Sequence, residues 1–299
     1  MCTLLKVSLI NILKLKFKNS TSRQPPVPVT HLSPVINPAT GQNPQLPQRQ
    51  RSKRLVPILL ILLVLLFCLV LIRKNTQTAK APTLNVNRSQ YSVNDPSSIW
   101  VVVNKGRVLP SDFIPADLAV PNVALRLPSS DPEMQLRKTA ATALEQMFSA
   151  ANQQNVHLML ASGYRSYGEQ VSVYSGFVGT QGVQSTDASS AKPGYSEHQL
   201  GLAADVEPTD RNCETDPCFA ATPEGQWVAA NSYKYGFIIR YPKDKQNLTG
   251  YEYEPWHLRF VGSALAMQLH GNGQTMEQFF GLPVYADYPA NPYQLKIGQ

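Results

Sequence analysis

The first 54 residues of this 299-residue chain contain no aspartate or glutamate, although they hold nine of its 27 lysines and arginines. They therefore carry a formal charge of +9, whereas the other 18 basic and 20 acidic side chains leave residues 55–299 at −2. A nucleic-acid-binding protein needs positive charge on its folded part, so we expect no nucleic-acid partner. Residues 19–50 are rich in Pro, Gln and Ser and lack aromatic residues, which predicts that residues 1–54 form a largely disordered basic tail.

The next 18 residues lack charged and polar side chains. Residues 55–72, LVPILLILLVLLFCLVLI, approach the ~20 residues that cross a ~30 Å hydrocarbon layer as a helix. A buried core helix would have polar residues at every third or fourth position. A cleaved signal peptide would begin nearer the N-terminus and have a shorter apolar core. We therefore expect one transmembrane helix in contact with the lipid bilayer.

Flanking charges indicate the orientation of this helix. RQRSKR precedes residue 55 directly, whereas only Arg73 and Lys74 follow residue 72. Because positive charge stays on the cytoplasmic side, we expect a single-pass protein of the cell membrane with a cytoplasmic N-terminus. Residues 73–97 then form an extracytoplasmic stalk.

Cysteines are few, which limits the sites they can build. Of the four, Cys2 is cytoplasmic and Cys68 lies in the membrane on this topology. Cys213 and Cys218 remain outside, where they could close a small disulfide loop or stay as two thiols, and an oxidising compartment favours the disulfide. A cysteine-based zinc site would need a second pair and is not expected.

Residues 98–273 contain short apolar runs separated by turn residues, which predicts a folded domain, and residues 274–299 resemble an extended tail. Ser130 and Glu133 form a capping-box pattern that predicts the start of a helix, and apolar residues recur at helical spacing after it. Short apolar strands alternate irregularly with helices. This pattern predicts an α+β fold with helices packed on a small antiparallel sheet.

Histidine is scarce too, with five in the chain. His31 lies in the predicted cytoplasmic tail. His157 and His270 stand near no motif, so a structural role is the default for both. An extracytoplasmic metal site would therefore depend on His198 and His257.

Each of these two histidines has a carboxylate near it in the sequence. In SEHQLGLAADV, His198 precedes Asp205, whose charge within an apolar strand is costly unless a cation faces it. In YEYEPWHLRF, Glu254 stands three residues before His257. Singly, each residue is more typical of a surface position. Two imidazoles and a carboxylate are nevertheless a recognised zinc ligand set that leaves a position open for water, and a second carboxylate could move protons there.

Taken together, the motifs resemble those of the VanY-type zinc D-alanyl-D-alanine carboxypeptidases. SEHQLGLAAD fits the Ser-x-His-x-x-Gly-x-Ala-x-Asp motif of that family, EPWH fits its Glu-x-x-His motif, and SGYRSYGEQ matches a third signature. The resemblance spans roughly residues 99–265 and implies the hedgehog/DD-peptidase fold.

This resemblance implies roles for the site residues. His198, Asp205 and His257 would bind Zn²⁺, and Glu254 would be the catalytic base. Arg165, in YRS, would contact the substrate carbonyl as negative charge develops there.

Ser196 and Gln170 would contact the substrate rather than the metal. The implied function is a membrane-anchored, zinc-dependent D-alanyl-D-alanine carboxypeptidase that trims peptidoglycan stem peptides. An L,D-carboxypeptidase or a peptidoglycan endopeptidase of the same fold is the alternative, because the motifs do not define the side chains around the scissile bond. A zinc-bearing, non-catalytic wall-binding module is a further alternative. The sequence does not indicate the oligomeric state.

Overall fold

The computed structural model describes residues 86–298. The predicted basic tail, the predicted membrane span at 55–72 and the first half of the predicted stalk lie outside the described residues. Among residues 86–298, no helix combines the length and the apolar character that a membrane crossing requires.

Within residues 86–298 the chain forms eight short strands and seven α-helices. The strands are β1 (Arg107–Val108), β2 (Leu118–Ala119), β3 (Leu136–Arg137), β4 (Leu158–Ser162), β5 (Ala203–Pro208), β6 (Phe237–Tyr241), β7 (Glu254–Phe260) and β8 (Tyr293–Gln294). The helices are α1 (Lys138–Asn152), α2 (Tyr167–Gln181), α3 (Val183–Ser189), α4 (Pro223–Asn231), α5 (Gln246–Thr249), α6 (Ser263–Asn272) and α7 (Met276–Phe280).

Four strands form one antiparallel sheet in the order β4-β5-β7-β6. Every residue of β5 is buried, as suits an apolar strand with a neighbour on each side. Leu144 and Met147 of α1 share one hydrophobic cluster with Leu160 of β4 and Val206 of β5. The structure therefore confirms the prediction of helices combined with a small antiparallel sheet.

The predicted start of the first helix at Ser130 is wrong, because α1 begins at Lys138. Before α1 the chain makes one 3₁₀ turn, capped by the side chain of Asp131, and then pairs with β2. The cause is a tertiary hydrogen bond: the Gln135 carbonyl accepts from the backbone N–H of Tyr164 at 2.7 Å. That carbonyl is engaged by the loop after β4, so the helical pattern cannot extend through it.

A disulfide joins Cys213 to Cys218 in the loop after β5. This confirms the favoured prediction for the pair. Thr215 and Pro217, which lie between the pair in sequence, line the cleft described below. The disulfide therefore constrains one rim of that cleft.

Residues 274–298, which the sequence assigned to a tail, pack on the rest of the domain. Here β8 pairs in parallel with β1, and Leu295 is buried. The Tyr288 hydroxyl accepts a hydrogen bond from the backbone N–H of Lys192 at 3.0 Å, and its ring contacts that of Tyr195 edge-on. This segment thereby braces the loop that leads into the SEHQLGLAAD motif.

Candidate active site

The residues singled out in the sequence line one cleft of about 450 Å³. Its walls include β5, β7, α2, the loop after β4 and the 3₁₀ helix Glu197–Leu200. All seven candidate site residues line it: Arg165, Gln170, Ser196, His198, Asp205, Glu254 and His257.

His198 is held in one orientation by the backbone around it. The Ser196 hydroxyl caps the short 3₁₀ helix by accepting from the backbone N–H of His198, and Gly201 ends this helix in the left-handed conformation. The ring Nδ1 lies 2.6 Å from the carbonyl oxygen of Gly163. A carbonyl can only accept, so Nδ1 carries the proton and Nε2 is the free nitrogen. Nε2 lies 3.3 Å from Oδ2 of Asp205.

Gly163 of the SGYRS motif has to be a glycine for a steric reason. A Cβ at this position would lie 2.4 Å from the carbonyl oxygen of Gln135. The backbone of the loop after β4 therefore approaches the chain before α1 as closely as it can. This approach places the carbonyl that orients His198.

Asp205 and His257 are partners in the strand register of β5 and β7. Oδ1 of Asp205 lies 3.1 Å from Nδ1 of His257. Both side chains are buried. The sheet thus fixes two of the three predicted ligands relative to each other.

The donor set fits a zinc ion. One ligand atom from each of His198, Asp205 and His257 can be chosen so that all lie within 4.8 Å of one another. Tetrahedral zinc with bonds of 2.0–2.2 Å separates neighbouring ligand atoms by about 3.4 Å. The imidazole nitrogens lie 3.3 and 3.1 Å from the carboxylate, His198 from Oδ2 and His257 from Oδ1. Oδ1 of Asp205 is buried and makes no hydrogen bond among residues 86–298, although Nδ1 of His257 lies 3.1 Å from it. A cation would satisfy this oxygen.

The titration properties of the three groups differ. Burial lowers the pKa of His198, which favours the neutral ring. For His257 burial acts in the same direction, but Asp205 and Glu197 outweigh it and raise the pKa to about 10. Burial also opposes ionisation of Asp205, yet the two imidazoles hold the pKa of this carboxyl well below its usual range. The cluster therefore keeps an ionised carboxylate between two rings.

Glu254, the first residue of β7, lies beside this cluster. Its Oε2 is 3.8 Å from Nδ1 of His257. Burial raises the pKa of Glu254 to about 8, with His257 opposing the shift and Asp205 adding to it. A carboxyl with such a pKa can both accept and donate a proton near neutral pH.

Arg165 faces the cleft from the loop after β4 and is held by two hydrogen bonds. Its Nη2 donates to the Ser162 hydroxyl at 2.8 Å, and its Nη1 donates to Oε1 of Gln170 at 3.1 Å. Gln170 in turn donates to the carbonyl of Ala191 at 2.7 Å. Nε of Arg165 makes no hydrogen bond within the described part of the chain, but it forms an ion pair with Oε1 of Glu133 at 3.7 Å. In this structure Gln170 therefore orients the guanidinium.

Sequence reasoning missed Glu197, which lies behind His257. It is buried and pairs through Oε1 with Nε of Arg240 at 2.8 Å and with Nη1 of Arg259 at 2.7 Å. Its Oε2 lies 3.8 Å from Nε2 of His257. The available signal was a charged residue in each of two apolar strands, FIIRY and WHLRF, since a buried arginine needs a carboxylate partner.

The other two histidines of the described residues lie outside the cleft. Nδ1 of His157 is 3.1 Å from Oδ1 of Asn152. The ring of His270 stacks on that of Tyr233 at a centroid distance of 3.7 Å. Neither ring is among the cleft-lining residues.

Comparison with known proteins connects this cleft to a family. Residues 133–263 match the family model described as VanY, D-alanyl-D-alanine carboxypeptidase. The protein YodJ of Bacillus subtilis strain 168 is 42% identical over 189 residues, which are 63% of this chain and 69% of YodJ. A D-alanyl-D-alanine carboxypeptidase of Enterococcus faecalis is 31% identical over 237 residues, covering 76% of this chain and 82% of that protein.

A solved structure of a carboxypeptidase is also similar to this chain. The LdcB LD-carboxypeptidase superimposes with a TM-score of 0.59 at 42% identity, over 62% of this chain and 87% of LdcB. All three matching motifs lie within the matched region and contribute residues to one cleft. The chain belongs to the VanY family of D-alanyl-D-alanine carboxypeptidases and is a peptidase.

Proposed function

We propose that the chain is a zinc-dependent carboxypeptidase that removes the terminal D-alanine from D-alanyl-D-alanine-ended stem peptides of peptidoglycan. The observation that carries this proposal is the meeting of His198, Asp205 and His257 at one buried point of the cleft with Glu254 beside them. The test is metal content of the purified full-length chain together with mass analysis of its products from a defined stem pentapeptide.

The metal would be held by Nε2 of His198, Nδ1 of His257 and the carboxylate of Asp205. Bound there, Zn²⁺ supplies Lewis acidity, which lowers the pKa of a water toward ~7 and polarises a carbonyl oxygen. Because the three residues are buried and two of them lie on paired strands, the protein holds them in place before the metal arrives.

Glu254 moves the proton in this reaction. It takes a proton from the water whose oxygen attacks the penultimate carbonyl carbon, and it delivers a proton to the nitrogen of the departing D-alanine when the C–N bond breaks. Its pKa is about 8 without a cation. A divalent cation nearby favours the ionised form, so the carboxylate is available as a base near neutral pH.

Arg165 stabilises the negative charge that develops on the carbonyl oxygen. A single well-placed donor to such an oxyanion contributes about 3 kcal/mol to transition-state stabilisation. Ser162 and Gln170 hold the guanidinium, and its Nε makes no hydrogen bond among residues 86–298 but lies 3.7 Å from Oε1 of Glu133. Ser196 lines the cleft and, with Gln170, is proposed to contact the substrate.

An L,D-carboxypeptidase is the second candidate, because LdcB, named an LD-carboxypeptidase, shares 42% identity with this chain. Incubation with pentapeptide and tetrapeptide stems distinguishes the two. Loss of one alanine from the pentapeptide alone supports D,D specificity, whereas loss from the tetrapeptide supports L,D specificity. An endopeptidase would cut within a cross-linked stem, and a non-catalytic wall-binding module would bind zinc and leave all of the stems intact.

Membrane attachment completes the proposal. Residues 55–72 would anchor the chain in the lipid bilayer, with residues 1–54 in the cytoplasm and the peptidase domain outside, near the cell wall. The uncharged apolar run, its basic flank and the disulfide between Cys213 and Cys218 support this placement. Protease accessibility of the peptidase domain in whole cells and in lysates tests it.

A further inference from the structure

Two buried polar atoms behind the cleft face each other without a hydrogen bond. Nε2 of His257 and Oε2 of Glu197 are 3.8 Å apart. Neither atom has a hydrogen-bond partner among residues 86–298. Buried polar groups are almost always paired, and a small movement of either side chain would bring these two atoms within hydrogen-bond distance.

The direction of that interaction follows from the other side of the ring. Nδ1 of His257 lies 3.1 Å from Oδ1 of Asp205. In the proposed site, this nitrogen would donate its lone pair to the metal. A neutral imidazole that offers its lone pair at Nδ1 carries its proton at Nε2. The facing acceptor for this proton is Oε2 of Glu197.

Glu197 is held in place for this role. Arg240 and Arg259 both donate to Oε1, at 2.8 and 2.7 Å, and leave Oε2 for the ring. Arg240 is tied on its far side to Glu277, with Nη1 to Oε2 at 3.1 Å, and Arg259 donates to the carbonyl of Val101 at 2.8 Å. All four charged side chains are completely buried. Two arginines and two glutamates cancel in charge, so the carboxylate stays ionised and cannot turn away.

We propose that Glu197 is a positioning residue for the metal centre: its Oε2 accepts the Nε2–H of His257, which selects the tautomer and orients Nδ1 toward the metal. This inference rests on the proposed zinc site. A residue that only neutralised the two arginines would offer both oxygens to them, whereas here both arginines contact one oxygen and the other faces the ring. Partners of this kind typically change metal affinity by about 10- to 100-fold.

The test is the zinc affinity of the full-length chain, measured by competition with a chromophoric chelator. Glu197→Gln keeps the size of the side chain but removes the negative charge that faces Nε2 of His257. We expect this variant to bind zinc about 10- to 100-fold more weakly. Glu277→Gln is the matched control, because it removes the same charge from the same buried cluster but does not face His257. We expect Glu277→Gln to change zinc affinity less than about threefold, while its melting temperature falls about as much as that of Glu197→Gln.

Equal zinc affinity in the parent and Glu197→Gln, or an equal loss in both variants, would overturn the inference. A parent chain that binds no zinc would instead overturn the proposed function and this inference with it. If Glu197→Gln does not fold, ¹⁵N-histidine NMR of the zinc-loaded parent decides. We expect the Nε2–H of His257 to have the downfield chemical shift of a proton that is hydrogen-bonded to a carboxylate, and the shift of an unbonded Nε2–H would contradict the assignment.

Discussion

Asp205 and His257 face each other across two paired strands, with Oδ1 and Nδ1 3.1 Å apart. Because side chains on neighbouring strands share a face only in the correct register, a slip of one residue would send the two groups to opposite faces of the sheet. The proposed metal site therefore depends on the pairing of β5 with β7 as well as on the identity of its ligands.

Replacement of the proposed base tests the assignment of proton transfer. Glu254→Gln should lower kcat by about 10²- to 10⁴-fold, because general acid–base catalysis contributes that much, while zinc content stays at one per chain. Hydrolysis of a stem peptide and metal analysis of the same preparation measure both effects. Glu224→Gln, on α4 and outside the cleft lining, is the control and should keep parental activity. Retained turnover in the Glu254 variant would refute its role.

Arg165 should act on the transition state more than on binding. Arg165→Ala should lower kcat by about 10²- to 10³-fold, since one oxyanion donor is lost. Gln170→Ala keeps the guanidinium but removes its hydrogen bond at Nη1 together with the bond from Gln170 to the Ala191 carbonyl, so we expect a smaller fall. Steady-state kinetics separate kcat from KM in each variant. If Arg165→Ala raises KM alone, the guanidinium binds the ground state instead.

Zinc binding should release about one proton. The pKa of His257 is about 10 without metal, so its ring is charged at pH 7.5 and must lose a proton before Nδ1 can bind zinc. His198 has a lowered pKa and is already neutral. Below pH 10, zinc affinity should therefore increase about tenfold for each unit by which the pH is raised. Calorimetry in two buffers of different ionisation enthalpy counts the proton.

That count is cleanest in the Glu254→Gln variant, because the Glu254 carboxyl has a pKa of about 8 and would add its own fraction of a proton. Release of two protons would show that His198 is also charged in the metal-free chain. Release of none would contradict the assigned ion pair of Asp205 and His257.

Gly163→Ala should destabilise the domain. The added Cβ would lie 2.4 Å from the Gln135 carbonyl, and overpacking of this kind costs about 1–3 kcal/mol in the free energy of unfolding. Gly176→Ala is the control, because a Cβ in the middle of α2 meets no atom within 4 Å. This substitution should raise the free energy of unfolding by about 0.5–1 kcal/mol, since alanine has the higher helix propensity. Urea denaturation of both variants measures the difference. Equal stability would show that the loop can relax.

The candidate site was predictable because its chemistry is carried by short motifs. His198 and Asp205 lie seven residues apart, and Glu254 and His257 lie three apart, so each half of the cluster is local in sequence. Only the meeting of the two halves required the sheet, and the structure shows that meeting.

Features that depend on distant partners were less predictable. The helical pattern after Ser130 was interrupted because Gln135 bonds to Tyr164 in a separate loop. The part played by Glu197 became visible only once Arg240 and Arg259, more than forty residues away, converged on it. Sequence patterns report local propensity, and tertiary hydrogen bonds override it.

The loop before the SEHQLGLAAD motif is held by two segments that lie far apart in the sequence. Leu109 donates from its backbone N–H to the carbonyl of Gly194, and the ring of Tyr288 contacts that of Tyr195. Leu109 precedes this loop, whereas Tyr288 follows it by more than ninety residues. A polypeptide synthesised only as far as residue 280 therefore lacks the contact from Tyr288, and we expect its cleft to be less ordered.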